Sequence, residues 1–138
     1  MNRSDFLALA DLRIEEAKVL LDQQKWDGAY YLAGYSVECM LKAGIAKLTR
    51  EHDFPATRNY SVDCYTHDLE RLLTLAGLEP AWIAECGTDA ILDKYWDIVL
   101  AWSESSRYER KSQLEAESMY NAIIDSVHGV LPWLRKHC

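Results

Sequence analysis

From Trp26 to Leu48 the chain reads as one long helix that carries little charge. Between Tyr30 and Ala46 the only charged residues are Glu38 and Lys42. Trp26, Tyr30, Ala33, Val37, Met40 and Gly44 step three and four apart and form one apolar stripe; Leu32, Tyr35, Cys39, Ala43 and Ala46 form a second. A helix that is apolar on two faces must be packed on two sides, so this segment is expected to be the central helix of a bundle. Ala29, Ala33, Gly34, Ala43 and Gly44 would let neighbouring helices approach closely. Each glycine costs about 1 kcal/mol of helix propensity relative to alanine, so close packing is the reason to keep them.

The rest of the chain follows the same period. In Asp5–Gln23 the positions Leu7, Ala10, Ile14, Ala17 and Leu21 make an amphipathic stripe, with Ser4 or Asp5 placed to cap the start. Glu51–Thr66 has no clear period and contains Pro55, Asn59, Ser61 and Asp63, which predicts a long loop. A short helix follows over Asp68–Ala76, with Thr66 as N-cap, His67 and Asp68 in its first turn and Gly77 as its stop. Pro80 opens a further helical segment, Gly87 interrupts it, and Thr88 or Asp89 restarts it. Ile91, Tyr95, Ile98 and Trp102 carry it to about Trp102. Ser103–Lys111 is a polar connector. Ser112 with Glu115 is a capping-box signature for the last helix, whose stripe is Ala116, Tyr120, Ile123, Val127, Val130 and Leu134. Pro132 cannot donate to the carbonyl of His128, which predicts a kink or break there. The expected fold is all-α: one domain spanning 1–138, an up-and-down four-helix bundle with one or two additional short helices.

Composition agrees with that reading. At 138 residues, 49% hydrophobic and 27% charged, the chain is the size of one ordinary globular domain. Six Gly and three Pro are few for a turn-rich all-β sandwich. A net charge of −7 repels phosphate backbones and argues against wholesale duplex binding, while leaving room for a local basic patch. The opening MNRSDFLALADLRIEEAK has no apolar run before a small-residue cleavage site, and no stretch is long enough to span a membrane. A cytoplasmic protein without membrane contact is expected. Cys39, Cys64, Cys86 and Cys138 sit at unrelated spacings and read as reduced thiols.

Three places could carry chemistry. Glu38 and Lys42 stand at i,i+4 in the favoured order for a helical ion pair. They read as a structural pair on the one wet edge of a buried helix, or as a Lys42 that meets phosphate or organises a dimer interface. The connector gathers Arg107, Arg110 and Lys111 around Tyr108 in an otherwise acidic chain. Arg binds phosphate bidentately and Tyr can stack on a base, whereas the plainer reading is a solvated charge cluster ahead of the last helix. Cys64 and His67, with His52 upstream, are too few for a zinc site, and no metal or other cofactor is expected. His67 is read as a structural hydrogen-bonding residue. No Gly-rich phosphate loop, G-x-S-x-G elbow, H-E-x-x-H or EF-hand loop is present.

The segment Ala29-Tyr30-Tyr31-Leu32-Ala33-Gly34-Tyr35-Ser36-Val37-Glu38-Cys39-Met40-Leu41-Lys42-Ala43 resembles the signature helix of HEPN domains, in which a Val-Glu pair precedes Leu-Lys-Ala. Thr66-His67-Asp68-Leu69 resembles that family's Thr-His-x-Leu helix start, and Ser106-Arg107-Tyr108 its Arg-Tyr connector. The three elements occur in the family's order and cover roughly Leu12 to Val130. The resemblance implies a bundle of four to five helices and a homodimer. Family members either cleave RNA, often as toxins neutralised by a small nucleotidyltransferase, or bind nucleotides, RNA or protein without catalysis.

The ribonucleases use an Arg, four to six intervening residues, then a His, so that the His moves a proton and the Arg steadies charge on the phosphoryl oxygens. Here Ser112, Gln113 and Leu114 stand where that His should follow Arg107, and none of the other seven arginines has a His at that spacing. Lys47 precedes His52 by five, but Lys does not replace Arg at a bidentate site. The expected function is therefore a dimeric nucleotide-, RNA- or partner-binding module, a potential half of a toxin–antitoxin pair with a minimal nucleotidyltransferase. Lys42, Arg107, Tyr108 and Arg110 would be its phosphate or base contacts, with Glu38 orienting Lys42 and His67 in the same cleft. The alternative is a ribonuclease toxin with a non-standard site in which Arg107 and His67 meet in space. A third reading, a purely structural bundle, would use Trp26, Trp82 and Trp133 as core or interface anchors.

Overall fold

The computed structural model describes residues 1–51 and 62–138. Helix α1 (Arg3–Asp22) is followed by a tight turn through Gln24, held at φ 59°, into α2 (Trp26–Glu51). Then come α3 (Leu69–Leu75), α4 (Glu79–Thr88), α5 (Ala90–Leu100), a 3-10 turn (Glu104–Tyr108), α6 (Gln113–Ile124) and α7 (Val130–His137). All of the regular secondary structure among the described residues is helical. No helix there is long and apolar enough to cross a membrane.

The two-faced helix is the centre of the molecule. α2 packs against α1, α3, α6, α7 and the 3-10 turn. Ala33, Val37, Met40, Leu41 and Ala43 are buried along it. Gly34 lets the indole of Trp102 lie directly on the α2 backbone, since a Cβ there would come within 3.0 Å of three ring atoms. A second centre of packing is aromatic. Trp82 of α4, Trp96 of α5 and Trp133 of α7 meet edge to face, with Trp82 at 4.8 Å from each partner's ring centroid. Trp26 is only partly buried beside the main core.

The helix ends show where local reading departs from the structure. α1 is capped neither by Ser4 nor by Asp5 as N-cap. Asn2 takes that place and accepts from the Asp5 amide at 3.0 Å, while the Asp5 carboxylate accepts from the Asn2 amide at 2.9 Å. α2 runs to Glu51, one turn beyond Leu48 and into the predicted loop, while Pro55 and Asn59 lie outside the described residues. Asp68, not Thr66, caps α3, accepting from the Arg71 amide at 3.1 Å, so His67 precedes the helix and does not lie in its first turn. Gly77, at φ +72°, supplies the left-handed residue that ends it.

The α4–α5 break falls at Asp89, which closes one helix and caps the next by accepting from the amides of Ile91 and Leu92 at 3.1 Å. Gly87 stays inside α4. The last predicted helix is two. Asp125 accepts from the amides of Val127 and His128, both at 2.9 Å, and so ends α6 seven residues before Pro132. Pro132 then sits in the first turn of α7, where the missing N–H has no helical acceptor to satisfy, and no kink results. The interruption leaves Val127 75% exposed, outside the stripe, and Ile91 is likewise exposed.

Candidate functional site

The buried carboxylate of Glu38 ties three elements together. Its position on α2 makes it only 2% exposed, so it does not lie on a wet edge. Oε1 receives Lys42 Nζ at 2.8 Å from one turn along the helix, and faces His67 Nδ1 at 2.9 Å. His67 is carried there by the segment leading into α3. Its other ring nitrogen, Nε2, lies 3.2 Å from Oε2 of Glu104, the first residue of the 3-10 turn. The imidazole thus stands between two carboxylates, with its hydrogen bond made to Glu38 and Glu104 near its other edge. Among the described residues, nothing hydrogen-bonds to Oε2 of Glu38, which is sealed from solvent.

The 3-10 turn is fixed from beneath. The Ser103 amide donates to Ser106 Oγ at 3.1 Å, and Ser106 is buried. Trp102, just before it, donates from Nε1 to the carbonyl of Tyr31 at 3.1 Å. Its ring stacks on Tyr31 at 5.8 Å, and Tyr31 stacks on Tyr35 at 6.1 Å, giving an aromatic row along α2. At the outer end of the turn the Arg107 guanidinium lies 4.9 Å from the ring centroid of Tyr108, which is 79% exposed. Charge interaction with the Tyr108 phenol, and less with Tyr31, raises the pKa of Arg107 further.

The predicted site residues fall into separate groups. Lys42 joins Glu38 and His67. Arg107 and Tyr108 form an exposed platform on the turn that Glu104 begins. Arg110 is fully exposed, 3.7 Å from Asp27. Lys111 turns inward to Glu109 at 2.9 Å and over the ring of Tyr30 at 4.4 Å. The cleft lined by Lys42 and Glu38 has a volume of about 680 Å³ and does not include Arg107, Tyr108 or Arg110. Sequence reading missed Glu104, whose link to His67 has no local spacing to announce it. It also missed Tyr31 and Tyr35 as a stacked row, although their i,i+4 spacing carried that signal. His52 lies outside the described residues; among the described ones, no three His, Cys, Asp or Glu side chains converge as an ion site would require.

Two cleft-lining side chains have shifted pKa values. Burial, and then the charge of Glu38, push the Cys39 thiol up to about 11, so it stays protonated and is no nucleophile. Burial also raises the phenol of Tyr35. What the arrangement supplies is therefore cationic donors on an apolar wall, with a separate Arg–Tyr platform outside. Comparison of the chain with protein-family models, with curated proteins and with solved structures returned no match.

Proposed function

We propose that this protein is a HEPN-like, up-and-down four-helix bundle with short accessory helices, which acts as a cytoplasmic homodimeric module that binds a nucleotide or RNA and does not cleave it. The observation that carries this reading is the exposed pairing of Arg107 with Tyr108 on a turn anchored by Trp102 and Ser106. A guanidinium beside an accessible aromatic face is the equipment for one phosphate and one stacked base. His67 supports the non-catalytic half of the reading. Its Nδ1 is held at 2.9 Å from Glu38 Oε1, so that nitrogen is engaged inside the protein and does not face a substrate. A minimal nucleotidyltransferase partner, as in toxin–antitoxin pairs, fits the same reading through the family resemblance.

One observation favours the second reading, a ribonuclease with a rearranged site. His67 lies 3.2 Å from Glu104, the first residue of the turn that also carries Arg107. Thermal unfolding with and without ATP or a dinucleotide tests the first reading. At ten times Kd a bound ligand stabilises the native state by about 1.4 kcal/mol. A Tm rise of roughly 4 °C is then expected for a domain of this size. The rise should be lost in Arg107→Ala. An unchanged Tm at millimolar ligand removes the binding reading.

A further inference from the structure

The cleft of about 680 Å³ follows one stripe of α2 and has the size of a small-molecule site. Tyr35, Cys39, Lys42, Ala46 and Thr49 line it, each four or three residues after the last. At a rise of 1.5 Å per residue that stripe is about 21 Å long, so the cleft is elongated. Phe6 and Leu9 of α1 add apolar surface to it. The charged side chains open to it have one sign. Glu38 is only 2% exposed, whereas the side chain of Lys42 is 16% exposed and Arg3 is partly exposed. Lys42 gives one N–H to Glu38 and keeps two more. Arg3 gives its Nε–H to the carbonyl of Cys138 at 2.6 Å, and among the described residues no side-chain carboxylate pairs with it. Burial raises the Cys39 thiol and the Tyr35 phenol, so neither adds negative charge at neutral pH.

We propose that this cleft binds a straight-chain monocarboxylate, a fatty acid of medium length, with its carboxylate on Lys42 and its chain along the apolar stripe of α2. Two cations on an apolar cleft, in a chain of net charge −7, select an anion that carries its own apolar body. Lys42 already shares its charge with Glu38, so a monoanion suits it better than a phosphate dianion. From Lys42 the stripe runs about 10 Å to Tyr35 and as far to Thr49, a span that roughly eight to ten extended carbons cover. The proposal does not rest on the Arg107–Tyr108 platform, which lies outside this cleft.

The test titrates the 15N-labelled protein with octanoate, 1-octanol, octylammonium and benzoate, each well below any micelle concentration, and follows amide shifts. Saturable shifts along residues 35–49 are expected with octanoate. Octanol, which keeps the chain and lacks the charge, should bind about tenfold or more weakly, and octylammonium should not bind. Lys42→Met should weaken octanoate to the level of octanol. Ala46→Phe, which fills the stripe and leaves Lys42 in place, should abolish binding while circular dichroism stays native; it decides the matter if Lys42→Met does not fold. Arg107→Ala should bind as the wild type does. No saturable shift with octanoate overturns the proposal, as does binding that survives Ala46→Phe. Octanol or octylammonium binding as tightly as octanoate overturns the choice of an anion, and benzoate doing so overturns the choice of a chain. Loss of octanoate binding in Arg107→Ala would assign the ligand to the platform and overturn the proposal too.

Discussion

Replacing Gly34 with alanine should destabilise the fold, although in an isolated helix it would do the reverse. The added methyl would come within 3.0 Å of Cδ1, Cγ and Nε1 of Trp102, a closeness that real Cβ atoms do not tolerate. Trp102 is a rigid ring, 4% exposed, stacked on Tyr31 and bonded to its carbonyl, so it cannot swing aside cheaply. Overpacking a core costs about 1–3 kcal/mol, and losing the indole hydrogen bond adds about 1 kcal/mol. Against this stands a gain of about 1 kcal/mol in helix propensity. The net expectation is a loss of about 2 kcal/mol, or roughly 6–10 °C in Tm. Urea denaturation followed by tryptophan fluorescence measures it. Gly87→Ala is the control: nothing lies within 4 Å of its Cβ position, so it should be neutral or stabilising by up to about 1 kcal/mol. A Gly34→Ala protein as stable as wild type would refute the claim that this glycine is kept for the approach of Trp102.

Lys42→Met should cost about 2 kcal/mol, less than the about 3–5 kcal/mol of a fully buried pair because His67 still faces Oε1 of Glu38. Adding Glu38→Leu should recover most of that loss, and a double-mutant cycle from urea melts checks it. Stability should also fall in acid. The His128 ring, and after it the Leu92 amide, hold the Asp89 carboxylate below its ordinary pKa, and the amides of His128 and Val127 do the same for Asp125. A depressed folded-state pKa gives stability that is present above the unfolded value and lost as pH falls through the carboxylate range. Melts between pH 6 and pH 2 should therefore flatten in Asp89→Asn. The thiols of Cys39 and Cys138, buried and pushed up to about 11, should react with a disulfide reagent at pH 8 only as fast as the protein opens, which a denaturant series would reveal.

Repeating patterns were the legible part of this sequence. The three-four stepping around Val37 and Met40 placed α2 at the centre, and Ser112 with Glu115 marked the start of α6, because both are set within one or two turns of helix. Local competition between caps was harder to read. Asn2, Ser4 and Asp5 are all good cap residues, and only the reciprocal Asn2–Asp5 bonds choose between them. At the far end Pro132 drew the break toward itself, whereas the side chain of Asp125 ends the helix earlier by taking two amides. The meeting of Glu38 with His67, 29 residues apart, and of His67 with Glu104 depends on how α2, α3 and the 3-10 turn pack, which no spacing records. The three tryptophans of α4, α5 and α7 met for the same reason.

The most direct measurement incubates metal-free protein with end-labelled single-stranded RNA and reads binding and integrity in the same samples. Retained, intact RNA is expected, with retention lost in Arg107→Ala and Tyr108→Ala and unaffected by His67→Ala. Cleavage that disappears in both His67→Ala and Arg107→Ala would contradict it.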